Sequence, residues 1–389
     1  MQQGDAGRVC IDGRMLGPGG TGVSTYARGL RAALPLAGYE PLVLAETAGW
    51  LERKGWPGLA RARRWIDAAR PGARRAERVG GNPAISAPEI FRIAQLFFDV
   101  HRRLLPIRTS QPPGIMHWTY PVPLRVEGWI NVYTVHDAIP LTAPGLSPID
   151  PRRHARLLDR IAASAGAIVT VSAAAKAEII AATGWSDGFV TDCSQAVLPL
   201  TPAPTLPAGV ERGRYFLFCG SIEPRKNVEA LVSAYRASGA GIPLLLAGPD
   251  GWRADRIARQ IGYGPDVRRL DYLDQDALAG LIAGARALLF PSLAEGFGLP
   301  VAEAMALGTP VMTSGTGALA ETAGGAALLV DPADTDGMAR AIARLAGDDA
   351  LCRDLRARGL ARAGAFTVDR FAARLAPFYA GLRAKGGAR

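Results

Sequence analysis

The segment of residues 287–311 constrains the fold most, because it reads as a strand, a helix and a second strand in close succession. Ala287–Phe290 is a short apolar run. Pro300 suits the first turn of a helix, where its missing N–H would lack a partner in any case. Gly308 suits the position just after that helix, and Val311 begins the next apolar run. The segment therefore predicts a sheet whose consecutive strands are joined by helices.

Two glutamates of this segment are candidate ligand-binding residues. Glu295 lies in the loop beyond the carboxyl end of the first strand, and Glu303 lies in the first turns of the helix. A ligand in the crevice above the sheet could contact both. The alternative is an ordinary strand–loop–helix unit with a solvated Glu303, since the helix dipole favours acids in a first turn.

The whole chain repeats this alternation of strands and helices. Its 389 residues, 49% of them hydrophobic, are enough for about two domains. The stretch Val197–Pro207 is proline-rich and non-periodic, which is typical of a linker. We therefore predict two doubly wound, Rossmann-like α/β domains, residues 1–205 and residues 206–366, followed by an amphipathic helix within 367–389.

The scattered cysteines and the lack of a secretory signal favour a reducing compartment. The four cysteines are scattered without metal-ligand spacing, so we expect neither a disulfide framework nor a metal site. The first residues lack a basic stretch followed by an apolar core, and no apolar run is long enough to span a bilayer. We expect a cytoplasmic protein without a cofactor.

Two further segments are candidate anion sites. Residues 13–22 form a glycine-rich loop before a helix predicted over Val23–Leu34, which suits an anion, although a tight turn without a ligand is the alternative. Arg225 and Lys226 precede a helix predicted over Val228–Ser238, where the helix dipole disfavours cations. They are therefore better explained by an anionic ligand, and Lys226 is expected to be exposed on its loop.

Two polar residues follow strands in the first half. His136 ends a strand predicted over Asn131–His136, and it could hydrogen-bond a ligand or merely cap a turn. Ser172 opens a helix predicted over Ala173–Ala182, where N-cap is its default role.

Three motifs resemble those of a known enzyme family. The runs E-G-F-G-L-P-x-x-E-A-M-A-x-G-T-P-V from Glu295, G-S-x-E-P-R-K-N from Gly220 and T-V-H-D-x-x-P from Thr134 resemble retaining, nucleotide-sugar-dependent glycosyltransferases of the E-x7-E type. This is group 1, or family 4-like, and its mannosyltransferase-like members resemble the chain most. The resemblance covers roughly residues 8–380. It implies the GT-B architecture, two Rossmann-like domains facing across a cleft, with the C-terminal helix folded back on the first domain.

The resemblance also implies roles for individual residues. The implied reaction moves a sugar from a nucleoside diphosphate sugar to an acceptor hydroxyl, without a metal and with the anomeric configuration kept. The residues implied in catalysis are His136, Arg225, Lys226 and Glu295. The residues implied in donor binding are Gly20, Gly22, Tyr272, Leu273, Phe297, Gly298, Leu299 and Glu303.

The runs T-V-H-D-x-x-P and G-S-x-E-P-R-K-N resemble most those of mannosyltransferases, and this resemblance implies GDP-mannose as the donor. The expected acceptor is a glycan or a polyprenyl-diphosphate-linked oligosaccharide in surface polysaccharide assembly. A UDP- or ADP-sugar donor is the alternative. A sugar-nucleotide epimerase and a non-catalytic binder are two other classes, which the intact charged residues of the motifs disfavour.

The net charge of +10 is concentrated in one region. Residues 52–108 carry 13 Lys or Arg against 5 Asp or Glu, a net of +8. Helices are predicted there over Ala60–Ala69 and Ala87–Leu105. The excess could form a solvated face or bind the anionic inner face of the cytoplasmic membrane. No nucleic-acid-binding module is evident, and we expect no nucleic-acid partner.

Overall fold

The computed structural model describes residues 7–17, 22–48, 56–78, 84–271 and 273–386. Within these ranges the strands form two separate sheets, one in each half of the chain. Helices join every two consecutive described strands of the second sheet and five of the nine such pairs of the first, so the predicted fold class of two Rossmann-like α/β domains is confirmed.

The first sheet has ten strands in the described part of the chain. They are β1 (Arg8–Asp12), β2 (Glu40–Thr47), β3 (Arg74–Arg78), β4 (Ala84–Pro88), β5 (Leu105–Thr109), β6 (Ile115–Trp118), β7 (Leu124–Val126), β8 (Ile130–Thr134), β9 (Ala167–Thr170) and β10 (Val190–Asp192). Their order is β10-β9-β8-β6-β1-β2-β4-β3-β5-β7. All neighbours are parallel except β3 and β4, so β3, β5 and β7 run against the rest.

Six helices accompany the first sheet among the described residues. They are α1 (Gly22–Leu36), α2 (Pro57–Ala69), α3 (Ile90–His101), α4 (Ile139–Thr142), α5 (Pro151–Ala162) and α6 (Ala173–Thr183). The predicted helix over Ala87–Leu105 is wrong at both ends, because β4 and β5 occupy its flanks. The basic region thus holds three strands, β3, β4 and β5, that the sequence did not indicate.

The second sheet is parallel throughout. Its strands are β11 (Phe216–Cys219), β12 (Leu244–Ala247), β13 (Val267–Arg269), β14 (Ala287–Phe290), β15 (Val311–Ser314) and β16 (Leu328–Val330). The order β13-β12-β11-β14-β15-β16 is the Rossmann order 3-2-1-4-5-6. Strands β11, β12, β14 and β15 are buried along their whole length, as expected for a sheet covered on both faces.

Seven helices cover the second sheet in the ranges given above. They are α7 (Val228–Ser238), α8 (Ala254–Ile261), α9 (Gln275–Gly284), α10 (Leu299–Ala306), α11 (Gly317–Ala323), α12 (Thr335–Gly347) and α13 (Asp349–Ala363). Helix α10 follows the loop of Glu295, as the opening motif predicts. Gly308 lies just beyond its end in the left-handed conformation, with φ of 72°.

The last helix, α14 (Val368–Gly386), packs against α1 of the first domain. The Phe371 ring lies 5.8 Å from the Tyr26 ring, and the Tyr379 hydroxyl is 2.5 Å from Nδ1 of His117. Phe371, Leu375 and Tyr379 are fully buried there. The chain therefore returns from the second domain to complete the core of the first.

Within the described residues no helix is both long and apolar enough to pass through a bilayer.

Candidate active site

The site lies where the strand order of the second sheet reverses. Strands β11 and β14 are neighbours, and the chain leaves them in opposite directions, which opens a crevice at their carboxyl ends. The loops after these strands carry the motifs that contain Lys226 and Glu295. A Cβ on Gly248 would come 2.2 Å from the Gly220 carbonyl oxygen, so only glycine permits this approach of the loops after β11 and β12.

Two cations and one carboxylate form the centre of the site. Lys226 Nζ lies 2.5 Å from Oε1 of Glu295, and an Arg225 guanidinium nitrogen lies 2.7 Å from Oε2. Arg225 also pairs with Glu223 at 2.6 Å. A short 3-10 turn over Pro224–Lys226 presents both cations on the same side of the loop.

Burial and charge together set the protonation of this group. Burial alone would raise the pKa of Glu295, but the Lys226 and Arg225 cations outweigh it and hold the pKa at about 2. Burial lowers the pKa of Lys226, and Glu295 partly offsets that effect. Only 9% of the Lys226 side chain and 10% of the Glu295 side chain are exposed. The expectation that Lys226 is exposed on its loop is therefore wrong, because Glu295 draws it inward.

Neighbouring groups fix the carboxylate and the ammonium in place. The Ser292 hydroxyl donates to Oε1 of Glu295 at 2.7 Å. The Lys226 ammonium lies 4.7 Å from the centre of the Phe290 ring, within cation–π range. An anionic group entering the crevice would meet cations that are already oriented.

His136 faces the second domain from the end of β8. Its Nε2 donates to the Thr119 carbonyl oxygen at 2.8 Å, which leaves Nδ1 as the acceptor nitrogen of a neutral ring. Burial lowers the pKa of His136 to about 4. The Tyr26 ring contacts it edge-on at 4.9 Å. The Nε2 bond fits the turn-capping alternative, while Nδ1 keeps its lone pair.

The residue after His136 connects the two domains electrostatically. Burial raises the pKa of Asp137, and the Arg225 cation of the second domain opposes that rise. One Asp137 oxygen accepts the Ile139 N–H at 3.0 Å. His136 of the first domain and the cation pair of the second thus lie on facing sides of one crevice.

Glu303 stands on the first turns of α10, as predicted, and its carboxylate accepts no hydrogen bond from any described residue. Burial raises its pKa to about 7, and the Arg28 cation of α1 opposes the rise. The Arg28 Nε is buried and has no hydrogen-bond partner in the described ranges. A carboxylate in this position is available to accept hydrogen bonds from a ligand.

The remaining residues of the predicted set lie around the same loop or apart from it. The Phe297 ring is buried against Phe366 at 5.2 Å, and Gly298 has φ of 95° at the start of α10. Leu299 is half-buried and packs against the core that α1 and α14 share. Leu273 packs against the core of the second domain.

The glycine loop is described in part. Gly22 begins α1, and among the described residues no atom outside its own stretch of chain lies within 4 Å of where its Cβ would be. The predicted residues Gly20 and Tyr272 lie outside the described residues.

A cluster of unpartnered polar atoms lies at the carboxyl ends of β1 and β6. One Asp12 oxygen accepts the Thr119 N–H at 2.5 Å. Among the described residues, no hydrogen-bond partner is found for the other Asp12 oxygen, the Thr119 hydroxyl or the Tyr120 hydroxyl, all of which are buried. Burial raises the pKa of Asp12 to about 6. Sequence reasoning did not single out these residues, although Asp12 is an acid at the end of an apolar strand.

The sequence reasoning also missed residues that complete the charged centre. Glu223 and Ser292 lie two and three positions from the residues they contact, Arg225 and Glu295. That closeness in sequence was the available signal. No group of three or more His, Cys, Asp or Glu in the described ranges is arranged to hold a metal ion.

Known proteins resemble the chain in sequence. The profile of the glycosyl transferases group 1 matches residues 213–348. The O-antigen chain mannosyltransferase B of Escherichia coli is 36% identical over 264 residues, covering 64% of this chain and 69% of that protein. The serotype-specific mannosyltransferase WbdA of Escherichia coli is 30% identical over 277 residues, covering 64% of this chain. The matched part spans 33% of that longer protein.

Solved structures resemble the chain in fold. Sucrose-phosphate synthase from Thermosynechococcus elongatus superposes with a TM-score of 0.70 at 21% identity, over 97% of this chain and 100% of that one. At this identity the likeness concerns the fold alone, which is the GT-B arrangement of two Rossmann-like domains.

Proposed function

The chain belongs to the glycosyl transferases of group 1, and we propose that it transfers mannose from GDP-mannose to a hydroxyl of an acceptor with retention of the anomeric configuration. The acceptor we propose is a glycan or a polyprenyl-diphosphate-linked oligosaccharide in surface polysaccharide assembly. The observation that carries the proposal is the buried Arg225–Lys226–Glu295 group at the crevice facing His136. Mannose is proposed from the two mannosyltransferases reported above.

The cation pair would act on the leaving group. As the bond between sugar and diphosphate breaks, negative charge grows on the bridging oxygen. Arg225 can bind phosphate oxygens through a fork of N–H groups, and Lys226 acts as a point charge. Because Glu295 already orients both cations, they need little rearrangement when that charge develops.

The donor's other parts would meet the remaining residues of the loop. We propose that the Glu303 carboxylate, which has no hydrogen bond in the described structure, accepts hydrogen bonds from the ribose hydroxyls. Glu295 and the N–H groups of Phe297 and Gly298 would hold the sugar, with Leu299 beside them. His136 would face the sugar from the first domain, and Nδ1 of its neutral ring would accept a hydrogen bond from a sugar hydroxyl.

The proposed contacts to the diphosphate and the base use loops at the rim of the crevice. Gly20 and Gly22 would let the backbone approach the diphosphate at the start of α1. Tyr272 and Leu273 would lie near the base. The leaving phosphate would take the acceptor proton on the same face of the sugar, so the proposed reaction needs no separate base and no cofactor.

A thermal-shift screen over GDP, UDP, ADP and their sugars tests the donor. A ligand at about 100 times its dissociation constant should stabilise the protein by about 2.7 kcal/mol. We expect GDP and GDP-mannose to give the largest shifts and consumption of GDP-mannose to require an acceptor. Stabilisation by UDP sugars alone would contradict the donor, and donor turnover without an acceptor would favour an epimerase.

We further propose that the enzyme works at the cytoplasmic membrane surface through α2. Trp56 at its start and Leu59, Trp65 and Ile66 along it are each about half exposed, at 49–59%. Arginines flank this apolar side. An amphipathic helix with exposed aromatic residues and basic neighbours is typical of binding at the interface of an anionic bilayer.

The structure refines which arginines this proposal uses. Arg64 pairs with Glu89 at 3.3 Å and has 17% of its side chain exposed, so it faces the protein. Arg63 is 63% exposed, although Asp67 lies 3.5 Å away. Arg61 is exposed as well. Arg61 and Arg63 are therefore the better candidates for contact with lipid.

Cosedimentation with vesicles of phosphatidylglycerol and phosphatidylcholine tests this surface. We expect binding at low salt that weakens with salt. The double variant Trp65→Ala/Ile66→Ala should lose most of it, while Leu360→Ala, which truncates an exposed leucine of the second domain, should bind like the wild type. Equal binding by both variants would contradict the role of α2.

A further inference from the structure

The loop of residues 295–298 is contacted from the first domain at two points. The Ser172 hydroxyl donates to the Gly296 carbonyl oxygen at 2.7 Å in a buried hydrogen bond. A Cβ on Gly296 would lie 2.1 Å from the His136 carbonyl oxygen, so the two backbones touch. This loop holds Glu295 and the N–H groups proposed to bind the donor sugar.

Ser172 has two roles through one oxygen. As the N-cap of α6 it accepts the Ala175 N–H at 3.0 Å, which explains its place in the sequence. An N-cap needs only a lone pair, so the hydroxyl proton is free for another acceptor. That acceptor is Gly296 of the other domain, and the bond has no bearing on capping.

A carboxylate of the second domain binds the same helix end. Glu321 of α11 accepts the Ala173 N–H at 3.0 Å and the Ala174 N–H at 2.7 Å, one with each oxygen. Helix α6 has no acid of its own in its first turn, so Glu321 supplies the negative charge that the helix dipole favours there.

The position of Glu321 is tied to the donor loop. Arg362 donates to the backbone carbonyl oxygens of Glu321 at 2.7 Å and of Thr322 at 3.0 Å. The Thr322 hydroxyl then donates to the Phe297 carbonyl oxygen at 2.6 Å in a buried bond. The helix end of the first domain is thus linked to both sides of the 295–298 loop.

We infer that Ser172 and Glu321 are positioning residues that hold the 295–298 loop in its sugar-binding conformation when the two domains are in contact. The inference rests on the proposed function, because it concerns the loop that would hold the donor sugar. Neither residue would touch the donor. Their loss therefore affects recognition of the sugar and its transfer, and it leaves recognition of the nucleoside diphosphate unchanged.

Ser172→Ala and Glu321→Gln test the inference in the full-length enzyme. Because hydrogen bonds to a charged group are stronger than those between neutral groups, we expect kcat to fall about tenfold or more in Glu321→Gln, and somewhat less in Ser172→Ala. Affinity for GDP, or for UDP if UDP is what stabilises the wild type, should stay within about twofold. The ratio of donor hydrolysis to transfer should rise, since a loosened loop admits water.

Asp150→Ala is the matched control. Asp150 caps α5 of the same domain by accepting the Arg153 N–H at 2.8 Å. This variant also loses an N-cap, so its melting temperature should fall as in Ser172→Ala while kcat stays unchanged. A similar fall of kcat in Asp150→Ala would mean that lost capping explains the effect, and would overturn the inference. Ser172→Thr keeps the hydroxyl and should restore kcat.

Hydrogen exchange gives a readout that does not depend on the donor. Amides of residues 295–298 should exchange faster in Ser172→Ala and Glu321→Gln than in the wild type or Asp150→Ala. Unchanged exchange there would overturn the inference even if the protein proved to use another sugar. Equal losses of affinity for the nucleoside diphosphate and for its sugar would also overturn it, because the residues would then serve donor binding as a whole.

Discussion

The carboxyl-end edges of the two sheets face one crevice, but they differ in whether their buried polar groups are paired. In the second domain Glu295 forms ion pairs with both Arg225 and Lys226, and the Ser292 hydroxyl donates a hydrogen bond to it. In the first domain an Asp12 oxygen and neighbouring hydroxyls are buried and have no hydrogen-bond partner within the part of the chain that the structure describes. One edge is internally satisfied before any ligand arrives, and the other is not.

This difference indicates which role each edge suits in the proposed reaction. A satisfied group of fixed charges can stabilise a developing charge with little reorganisation, which fits a diphosphate that leaves. Unpartnered polar atoms are costly when buried, so a ligand or water that supplies the missing hydrogen bonds gains more there. The same contrast predicts that substitutions at the two edges fail in different ways.

Lys226→Met should give the largest effect, and it tests the charged edge. Removing one electrostatic partner of the transition state typically costs about 10²–10³ in kcat. Because Lys226 is buried, the change should also lower the free energy of unfolding, by up to about 3–5 kcal/mol for a broken buried pair. Steady-state kinetics and urea denaturation measure the two effects.

The double variant Lys226→Met/Glu295→Gln separates them. It should regain part of the stability, because the carboxylate oxygen that faced the lost ammonium becomes part of an uncharged amide while Glu223 still pairs with Arg225, and kcat should stay low. A rise of KM alone in Lys226→Met, at unchanged kcat, would show that the cations only clamp the ground state.

Asp12→Asn tests the edge of the first sheet through stability. The folded pKa of Asp12, about 6, is above the ordinary value of 3.8, so its contribution is complete at low pH and is lost as the pH rises through 6. The wild type should therefore lose up to about 3 kcal/mol relative to Asp12→Asn between pH 4 and pH 7. Melting temperatures of both proteins across this range check it, and parallel curves would contradict it.

Glu303→Gln should give the smallest of these effects, and it tests donor binding at the edge of the second sheet. Loss of the ribose acceptor should raise the donor KM about tenfold with kcat unchanged, because the ribose is held equally in both states. In the wild type the donor affinity should increase as the pH rises through about 7, when the carboxyl ionises. The variant should show no such step, and a step that persists in it would assign the titration to another group.

The sequence predicted the second domain more closely than the first for a physical reason. Helix α7 has the predicted bounds, Val228–Ser238, and β14 has the predicted bounds Ala287–Phe290, because buried apolar runs between glycines and caps leave few alternatives. In contrast, β3 reads Arg-Arg-Ala-Glu-Arg, with only its alanine buried. Such a strand depends on its neighbours in the sheet, which local sequence does not reveal.

The site was predictable in composition but not in its contacts. The motifs brought Lys226 and Glu295 forward as separate candidates, one for the diphosphate and one for the sugar. Their direct pairing joins residues 69 positions apart, and it moved Lys226 from the surface into the protein. Ser172 was predicted as an N-cap and is one, yet its bond to Gly296 needs the second domain in place.

Helix α14 sets the order in which the protein can mature on the ribosome. The core beneath α1 contains Tyr26 from the start of the chain and Phe371 and Tyr379 from its end. Chains generally fold domain by domain from the amino terminus as they emerge. Here the first domain to be synthesised cannot complete its core until helix α14, which follows the second domain, has been made. The second domain, whose sheet and core come from one continuous stretch, is able to fold ahead of it.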